Sequence, residues 1–220
     1  MNITFEQIKN NQDIKTYITK ADESLRALGY TEHSFAHVTK VAEDASRILE
    51  TLGYDSHTIE LAGISAYLHD IGNLVNRVDH SQSGAVMAFR ILDNLGMPAE
   101  DISTIVSAIG NHDEGTGVPV NSVAAALIIA DKCDVRRTRV RNPDKSTFDI
   151  HDRVNYSVVS SEINISIEEK RVTLVLTLDS SISAVMDYFQ IFIDRMQMSR
   201  HAAEALGLSF GLVINGLELL

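Results

Sequence analysis

Cysteine, proline and tryptophan are scarce in this chain of 220 residues, which has one Cys, three Pro and no Trp. The single cysteine, Cys133, excludes an intramolecular disulfide framework, and we expect it to fill space in the core. No apolar run reaches the roughly 18 residues that a membrane-spanning helix needs, and residues 1–20 are polar and charged, unlike a secretion signal. We therefore expect a cytoplasmic protein that does not use a membrane as a partner.

Positive charge is also limited, because 19 Lys and Arg stand against 30 Asp and Glu, for a formal net charge of −11. Tight binding to long nucleic acids requires many Lys and Arg side chains to neutralise phosphates. This composition argues against long nucleic acid as a partner. A small phosphorylated substrate remains compatible with it.

The periodicity of apolar residues changes after about residue 143. Residues 1–143 predict helices with short connections, whereas residues 152–220 predict two alternating strands, one long helix and a final strand. These C-terminal elements are expected at residues 161–167, 171–178, 182–206 and 208–214. We expect a mainly α fold with a helical bundle, a linker at 144–151 and a small C-terminal α+β (ββαβ) domain. That domain is expected to serve packing or homo-oligomerisation, with small-molecule sensing as the alternative.

Histidine and aspartate recur in phase with the apolar faces of the predicted helices. His37 lies four residues before Val41 on a core-facing stripe, and Asp131 follows Leu127 at the same spacing. Each such residue, taken singly, is more often structural than functional. An ionised carboxylate on a core-facing stripe is costly, however, unless a cation or a hydrogen-bond network satisfies it. A divalent metal would satisfy all the residues of this kind, namely His37, His69, Asp70, His80, His112 and Asp131.

Three of these residues are expected in the last turns of helices. A helix over residues 58–71 would hold His69 and Asp70 in its last turn, with Gly72 as the residue that ends it. A second helix, opened by Pro98, would extend to His112 at the i+3 position of its apolar face. The other histidines share no helical phase with these residues, and we do not count them as ligands: His33, His57, His151 and His201.

The order H…HD…H…H…D, with His-Asp-Ile-Gly at residues 69–72, resembles the HD superfamily of metal-dependent phosphohydrolases. The resemblance extends from about His33 to Asp134 and identifies residues 1–143 as the HD domain. The presence of both His80 and His112 resembles the two-metal branches, such as the HD-GYP cyclic dinucleotide phosphodiesterases and the bacterial symmetrical diadenosine tetraphosphate hydrolases. The GYP signature itself is not evident. The resemblance implies one ion at His37, His69, Asp70 and Asp131, a second at His80 and His112, and a bridging Asp70.

The implied activity is that of a phosphatase or phosphodiesterase that cleaves a phosphate ester of a nucleotide or another small molecule through a metal-activated hydroxide. Asp70 and His69 would be the catalytic residues. Imidazole and carboxylate ligands suit one or two divalent transition-metal ions, with iron or manganese first and cobalt, nickel or zinc as alternatives. Two other classes stay open: a di-iron oxygenase of the HD fold, and a regulatory nucleotide-binding module with little turnover.

The sequence departs from the two-metal branches at Asn73, where they usually carry Lys, so the phosphate charge must be met elsewhere. An arginine-rich run follows Asp131, and guanidinium groups bind phosphate through a rigid fork of donors. The run therefore holds the candidate phosphate ligands Arg136, Arg137 and Arg139, with a solvated surface as the alternative. Asn73 and Asp134 are expected to contact the metal ligands.

Overall fold

The computed structural model describes residues 3–220, so that Met1 and Asn2, at the start of the expected helical domain, lie outside the described residues. The helices are α1 (Phe5–Asn10), α2 (Gln12–Ala27), α3 (Phe35–Thr51), α4 (Ser56–Leu68), α5 (His80–Asn94), α6 (Ala99–Gly110), α7 (Ser122–Lys132), α8 (Ile150–Ser157) and α9 (Val185–Ala205). The strands are β1 (Val158–Ser166), β2 (Arg171–Leu178), β3 (Ser209–Ile214) and β4 (Leu217–Glu218). The predicted fold class, mainly α with a small C-terminal α+β unit, is confirmed. Among the helices of residues 3–220, none combines the length and the apolar character that a membrane crossing requires.

The bundle is built around α7, whose residues from Val123 to Ala130 are all buried. A helix that is apolar on every side must lie inside the protein, and α7 packs against α3, α4, α6 and α9. α3 is amphipathic and turns Val41, Ile48 and other apolar residues into the core. The central position of α7 places Asp131, near its C-terminal end, within reach of several other helices.

α4 ends earlier than the sequence predicts. Its last residue is Leu68, His69 is the cap, and Asp70 precedes a 3₁₀ helix, Ile71–Leu74. The prediction that Gly72 ends α4 was wrong, because Gly72 lies inside that 3₁₀ helix. A Cβ atom at Gly72 would collide with the backbone of His80 and of Gly84. Gly72 therefore lets the start of α5 approach the end of α4.

α6 also ends before the position that we predicted. Its last residue is Gly110 and Asn111 caps it, so His112 lies just beyond the helix. Glycine and asparagine are weak helix formers, which explains why the helix stops despite the favourable phase of His112. The ring of His112 is nevertheless fully buried in the bundle.

The C-terminal unit has the predicted ββαβ order with β4 added. β1 and β2 form an antiparallel hairpin, β3 pairs with β2 in parallel through the crossover helix α9, and β4 pairs antiparallel with β3. Alternate residues of β2 face the core: Val172, Leu174, Leu176 and Leu178. Buried apolar side chains of this unit and of the bundle form one continuous cluster.

The segment 144–151, expected to be a linker, contains a 3₁₀ helix, Lys145–Thr147, and the start of α8. Asp149 caps α8 by accepting a hydrogen bond from the backbone N–H of Asp152, the usual role of aspartate at this position. α8 therefore crosses residue 152, where we place the start of the second domain. The division of the chain into two domains stays a prediction.

Candidate metal centre

The six expected metal ligands converge inside the bundle although they come from separate elements. His37 lies in the first turn of α3, and Asp131 in the last turn of α7. The others lie at or beyond helix ends: His69 and Asp70 after α4, His80 at the start of α5, and His112 after α6. All are buried except Asp131, which is partly exposed.

One half of the cluster brings two histidines against two carboxylates. His37 Nε2 lies 3.5 Å from Asp70 Oδ2 and 3.3 Å from Asp131 Oδ1. His69 Nε2 lies 3.2 Å from Asp70 Oδ2 and 3.6 Å from Asp131 Oδ1. His37, His69 and Asp70 form one of the groups with metal-ligand geometry in the described chain, and Asp131 shares a second such group with His69.

The other half lies on the opposite oxygen of Asp70. His80 Nε2 is 3.5 Å from Asp70 Oδ1 and 3.2 Å from the Nε2 atom of His112. Asp70, His80 and His112 form one of three overlapping groups with metal-ligand geometry in the described chain. Asp70 therefore presents Oδ2 to one half of the cluster and Oδ1 to the other.

The Nδ1 atoms of the four ligand histidines all have hydrogen-bond partners. The acceptors are Asp134 Oδ2 for His37 (2.8 Å) and the carbonyl oxygens of Ala66 for His69 (2.7 Å), Arg77 for His80 (3.1 Å) and Ile109 for His112 (2.6 Å). A carbonyl oxygen can only accept, so each of these rings donates from Nδ1. The lone pair of a neutral ring then lies on Nε2, the atom that faces the cluster.

Three buried atoms of this cluster have no hydrogen-bond partner in residues 3–220: His37 Nε2, His69 Nε2 and Asp70 Oδ2. An unpaired buried polar atom costs about 1–3 kcal/mol. All three belong to the same half of the cluster, where a divalent cation would satisfy them together. The imidazole and carboxylate donors therefore fit a transition-metal ion, which they suit better than magnesium.

The surroundings of the two central carboxylates favour their ionised form. Burial by itself would raise the pKa of Asp70, but the nearby His69 and His33 rings bring that pKa well below its ordinary value. Burial would also raise the pKa of Asp131, but the Lys132 ammonium group is the main cause of a pKa well below the usual range. Metal ligands must be deprotonated, and these carboxylates meet that condition at neutral pH.

Asn73 and Asp134 lie against the ligands. Asn73 Nδ2 donates to Asp70 Oδ1 at 2.8 Å and to the Asp70 carbonyl oxygen at 2.9 Å. Asp134 is buried and accepts from His37 Nδ1, and although burial opposes it, this contact and the nearby Arg139 hold the pKa of Asp134 below its usual range. Both residues therefore orient a ligand side chain, as carboxylates and amides around metal sites commonly do.

Basic side chains surround the cluster, and of these the sequence pointed only to Arg139. Four of them line its cavity: Arg77, Lys132, Arg139 and Arg195. The buried Lys132 places Nζ 2.8 Å from Asp131 Oδ2 and 3.4 Å from Glu114 Oε2. Burial would raise the pKa of Glu114, but Lys132 and Arg195 lower it to about 2. These cations give the cavity positive charge although its neighbour Asn73 is uncharged.

The three arginines proposed as phosphate ligands have different surroundings. Arg139 is buried and lines the cavity of the cluster. Arg136 forms two bonds with Asp134, from Nε to Oδ1 (2.6 Å) and from Nη2 to Oδ2 (3.0 Å). The guanidinium of Arg137 lies 5.0 Å from the centre of the Tyr156 ring. Among the three, Arg139 is the one that lines this cavity, and a phosphate role for any of them stays a prediction.

His33, which we left out of the site, lies beside it. Its ring is 5.5 Å from that of His37, and it lines the same cavity. His33 precedes α3, so no helical phase could connect it with the ligands. It belongs to none of the groups with metal-ligand geometry in the described chain. The structure therefore makes His33 a wall of the cavity.

Part of the bundle matches a known protein family. Residues 34–136, which contain all six expected ligands, match the family model described as the HD domain. The uncharacterized protein MJ1020 of Methanocaldococcus jannaschii is 26% identical over 208 residues, covering 83% of this chain and 80% of that protein. A predicted HD superfamily hydrolase from an uncultured Thermotogales bacterium, known from its crystal structure, aligns with a TM-score of 0.44 and 24% identity over 60% of this chain and 73% of that one. These matches do not distinguish among the branches of the superfamily. Residues 34–136 of this chain are therefore similar to the HD domain family.

Proposed function

We propose that this chain is a metal-dependent phosphohydrolase that cleaves a phosphate ester of a nucleotide or another small molecule. One observation carries the proposal: the Nε2 atoms of four buried histidines converge with the carboxylates of Asp70 and Asp131. Within residues 3–220, His37 Nε2, His69 Nε2 and Asp70 Oδ2 have no hydrogen-bond partner. The HD domain supports it, because the superfamily that the chain resembles has this chemistry. The basic wall of the cavity supports an anionic substrate.

The residues divide between two ions in this proposal. His37, His69, Asp70 and Asp131 hold the first, and His80 and His112 hold the second, with Asp70 shared. Iron and manganese are the first candidates for both positions. When bound, a pair of divalent ions lowers the pKa of coordinated water and neutralises charge on a phosphoryl group.

The side chains of the chain itself have three tasks. Asp70 positions both halves of the centre through its two oxygens, and His69 is locked in orientation by its bond to the Ala66 carbonyl oxygen. Lys132 fixes the Asp131 carboxylate through the contact at 2.8 Å. The cations of the wall attract the phosphate group and balance the charge that its burial brings.

The first test is metal content. Protein prepared without chelator is expected to retain one or two transition-metal ions per chain by elemental analysis. The apo protein, reconstituted separately with Mn, Fe, Co and Ni, is then assayed with phosphomonoesters, phosphodiesters and dinucleotides. Protein that neither retains nor takes up metal contradicts the proposal.

The same assays distinguish two other functions. Oxygen uptake by the ferrous protein without phosphate release indicates a di-iron oxygenase, and tight nucleotide binding without turnover indicates a regulatory module.

Matched histidine variants test the second ion. His112→Ala is expected to lower the metal content by about one ion while the circular dichroism spectrum is unchanged. His57→Ala is the control, because His57 lies on the exposed side of α4 and pairs with Asp101. Equal metal content in both variants would establish a one-ion centre.

A further inference from the structure

A cavity of about 320 Å³ lies next to the metal centre, and the proposed function assigns it no role. We call it the adjacent cavity. It shares part of its lining with the cavity of the metal cluster, through His33, Arg77, Arg139 and Arg195. The adjacent cavity and the metal centre therefore lie on two sides of the same four side chains.

Three guanidinium groups meet at this junction, and each is held by a different contact. Arg139 donates from Nε to the Glu32 carbonyl oxygen (2.9 Å) and from Nη1 to the Asp134 carbonyl oxygen (2.7 Å). Arg77 lies over the ring of Tyr30 at 5.6 Å. Each guanidinium also faces a carboxylate, with Arg77 Nη1 4.0 Å from Asp70 Oδ1 and Arg139 Nη1 3.7 Å from Asp134 Oδ2. Three cations along one cavity wall still favour an anionic ligand at this place, in a chain whose net charge is −11.

Arg195 differs from the other two because it comes from the C-terminal unit. It lies on α9, with Nε 2.9 Å from Glu114 Oε1 and its guanidinium 4.8 Å from the centre of the Phe192 ring. Both contacts fix the position of the side chain. The Nε contact leaves the two terminal nitrogens of the fork as candidate donors to a phosphate group.

The remaining walls of the adjacent cavity differ in character from the junction. Aromatic surface comes from Tyr30 and Phe192, and polar groups come from α8 through His151, Asp152 and Asn155. The volume lies in the range of pockets for small organic ligands. An organic group of sugar or nucleoside size, with hydroxyl or amino donors, matches this combination of aromatic and acidic surface.

We propose that the adjacent cavity holds the organic part of the substrate while the guanidinium groups at the junction hold its phosphate against the metal centre. The C-terminal unit then selects the substrate, with Arg195 as a phosphate ligand and Phe192 as a wall for the organic part. This assignment rests on the proposed function. It gives the unit a role in substrate binding besides packing.

Binding of inorganic phosphate tests Arg195 without any turnover. Isothermal titration of the manganese-loaded protein with inorganic phosphate is expected to show that Arg195→Ala binds about 10- to 150-fold more weakly than wild type, as for the loss of a charged hydrogen bond. Arg200→Ala is the matched control, because Arg200 lies on the same helix but is exposed and pairs only with Glu204 among the residues of 3–220. The control is expected to bind as wild type.

Arg195→Lys covers the case in which the alanine variant does not fold. Lysine keeps a positive charge beside Glu114 but lacks the planar fork, so phosphate binding is expected to weaken while metal content is unchanged. Wild-type affinity in both Arg195 variants, with full metal content, would overturn the assignment.

Phe192→Leu tests whether the adjacent cavity binds the organic part of the substrate. Leucine keeps an apolar side chain but removes the ring that lines the adjacent cavity and contacts the Arg195 guanidinium, so KM is expected to rise more for a nucleoside monophosphate than for p-nitrophenyl phosphate. An equal KM change for both esters would overturn the role of the adjacent cavity alone. A wild-type protein that binds no metal and hydrolyses neither ester would instead refute the proposed function.

Discussion

The helical bundle and the C-terminal unit contribute different kinds of residue to one centre. The bundle supplies imidazoles and carboxylates, which helix packing holds in fixed orientations. The C-terminal unit supplies Arg195, which reaches the centre because α9 packs on α7. The difference predicts that the C-terminal unit contributes to substrate binding but not to metal binding. Variants of the bundle should therefore change metal content, whereas variants of α9 should change substrate affinity at constant metal content.

The largest effect is expected for Asp70→Asn, which tests the contribution of the bundle to metal binding. An amide offers only one oxygen and no charge, so it cannot serve both halves of the centre. Activity should fall to the assay background, and metal content should fall with it by elemental analysis. Substantial turnover in a metal-loaded Asp70→Asn protein would contradict the central role of this residue.

Asp134→Asn should have a smaller effect through His37. Loss of a carboxylate that orients a metal-bound histidine typically lowers metal affinity by about 10- to 100-fold. Asp44→Asn is the control, because Asp44 pairs with Lys40 and Arg47 instead of a ligand histidine. Competition with a chelator measures the affinities, and equal values for both variants would show that the His37 contact is not needed.

Gly72→Ala should lower the free energy of unfolding by about 1–3 kcal/mol or more, the usual cost of overpacking. The added Cβ atom would push α5, and with it His80, away from Asp70. Gly115→Ala is the control, since a Cβ atom at Gly115 meets nothing within 4 Å. Urea unfolding measures both variants. Equal stability would mean that the approach of α5 to α4 does not depend on Gly72.

Glu114→Gln tests whether the two regions contribute separately, because Glu114 contacts Lys132 of the bundle and Arg195 of the C-terminal unit. Partly exposed ion pairs contribute about 0.2–1 kcal/mol, so KM should rise by no more than about fivefold, without a change in metal content. A loss of metal in this variant would show that the two contributions are not separate.

The smallest effect is expected at Cys133, where the two regions meet. Its carbonyl oxygen accepts a bond from Ser161 Oγ of β1 at 2.7 Å, and burial raises the pKa of its thiol to about 12. A thiol reagent at pH 8 should therefore react only as fast as the whole protein unfolds. Faster reaction in the folded protein would reveal local separation of the C-terminal unit from α7.

The fold class could be predicted from the sequence, and so could the fact that the six expected ligands lie close together. Helical phase identified His37 and Asp131, because both lie on core-facing stripes of long, strongly periodic helices. The helical phase of α4 and α6 also predicted that His69, Asp70 and His112 face the core, even though both helices end before these residues. Helix ends were predicted less well, since Gly72 signals a close approach between helices that sequence alone does not distinguish from a helix end.

The tertiary structure decided the rest of the site. Local periodicity determines which face of a helix is buried, and the resemblance supplied the order of the ligands. Lys132, Arg77, His33 and Arg195 follow no common period, so only the packing of distant segments reveals that they share one cavity with the ligands. Arg195 is the extreme case, because it lies 64 positions beyond Asp131 in the numbering of the chain and reaches the site only when the crossover between β2 and β3 lays α9 against α7. Such contacts arise from the whole fold, and no window of sequence contains them.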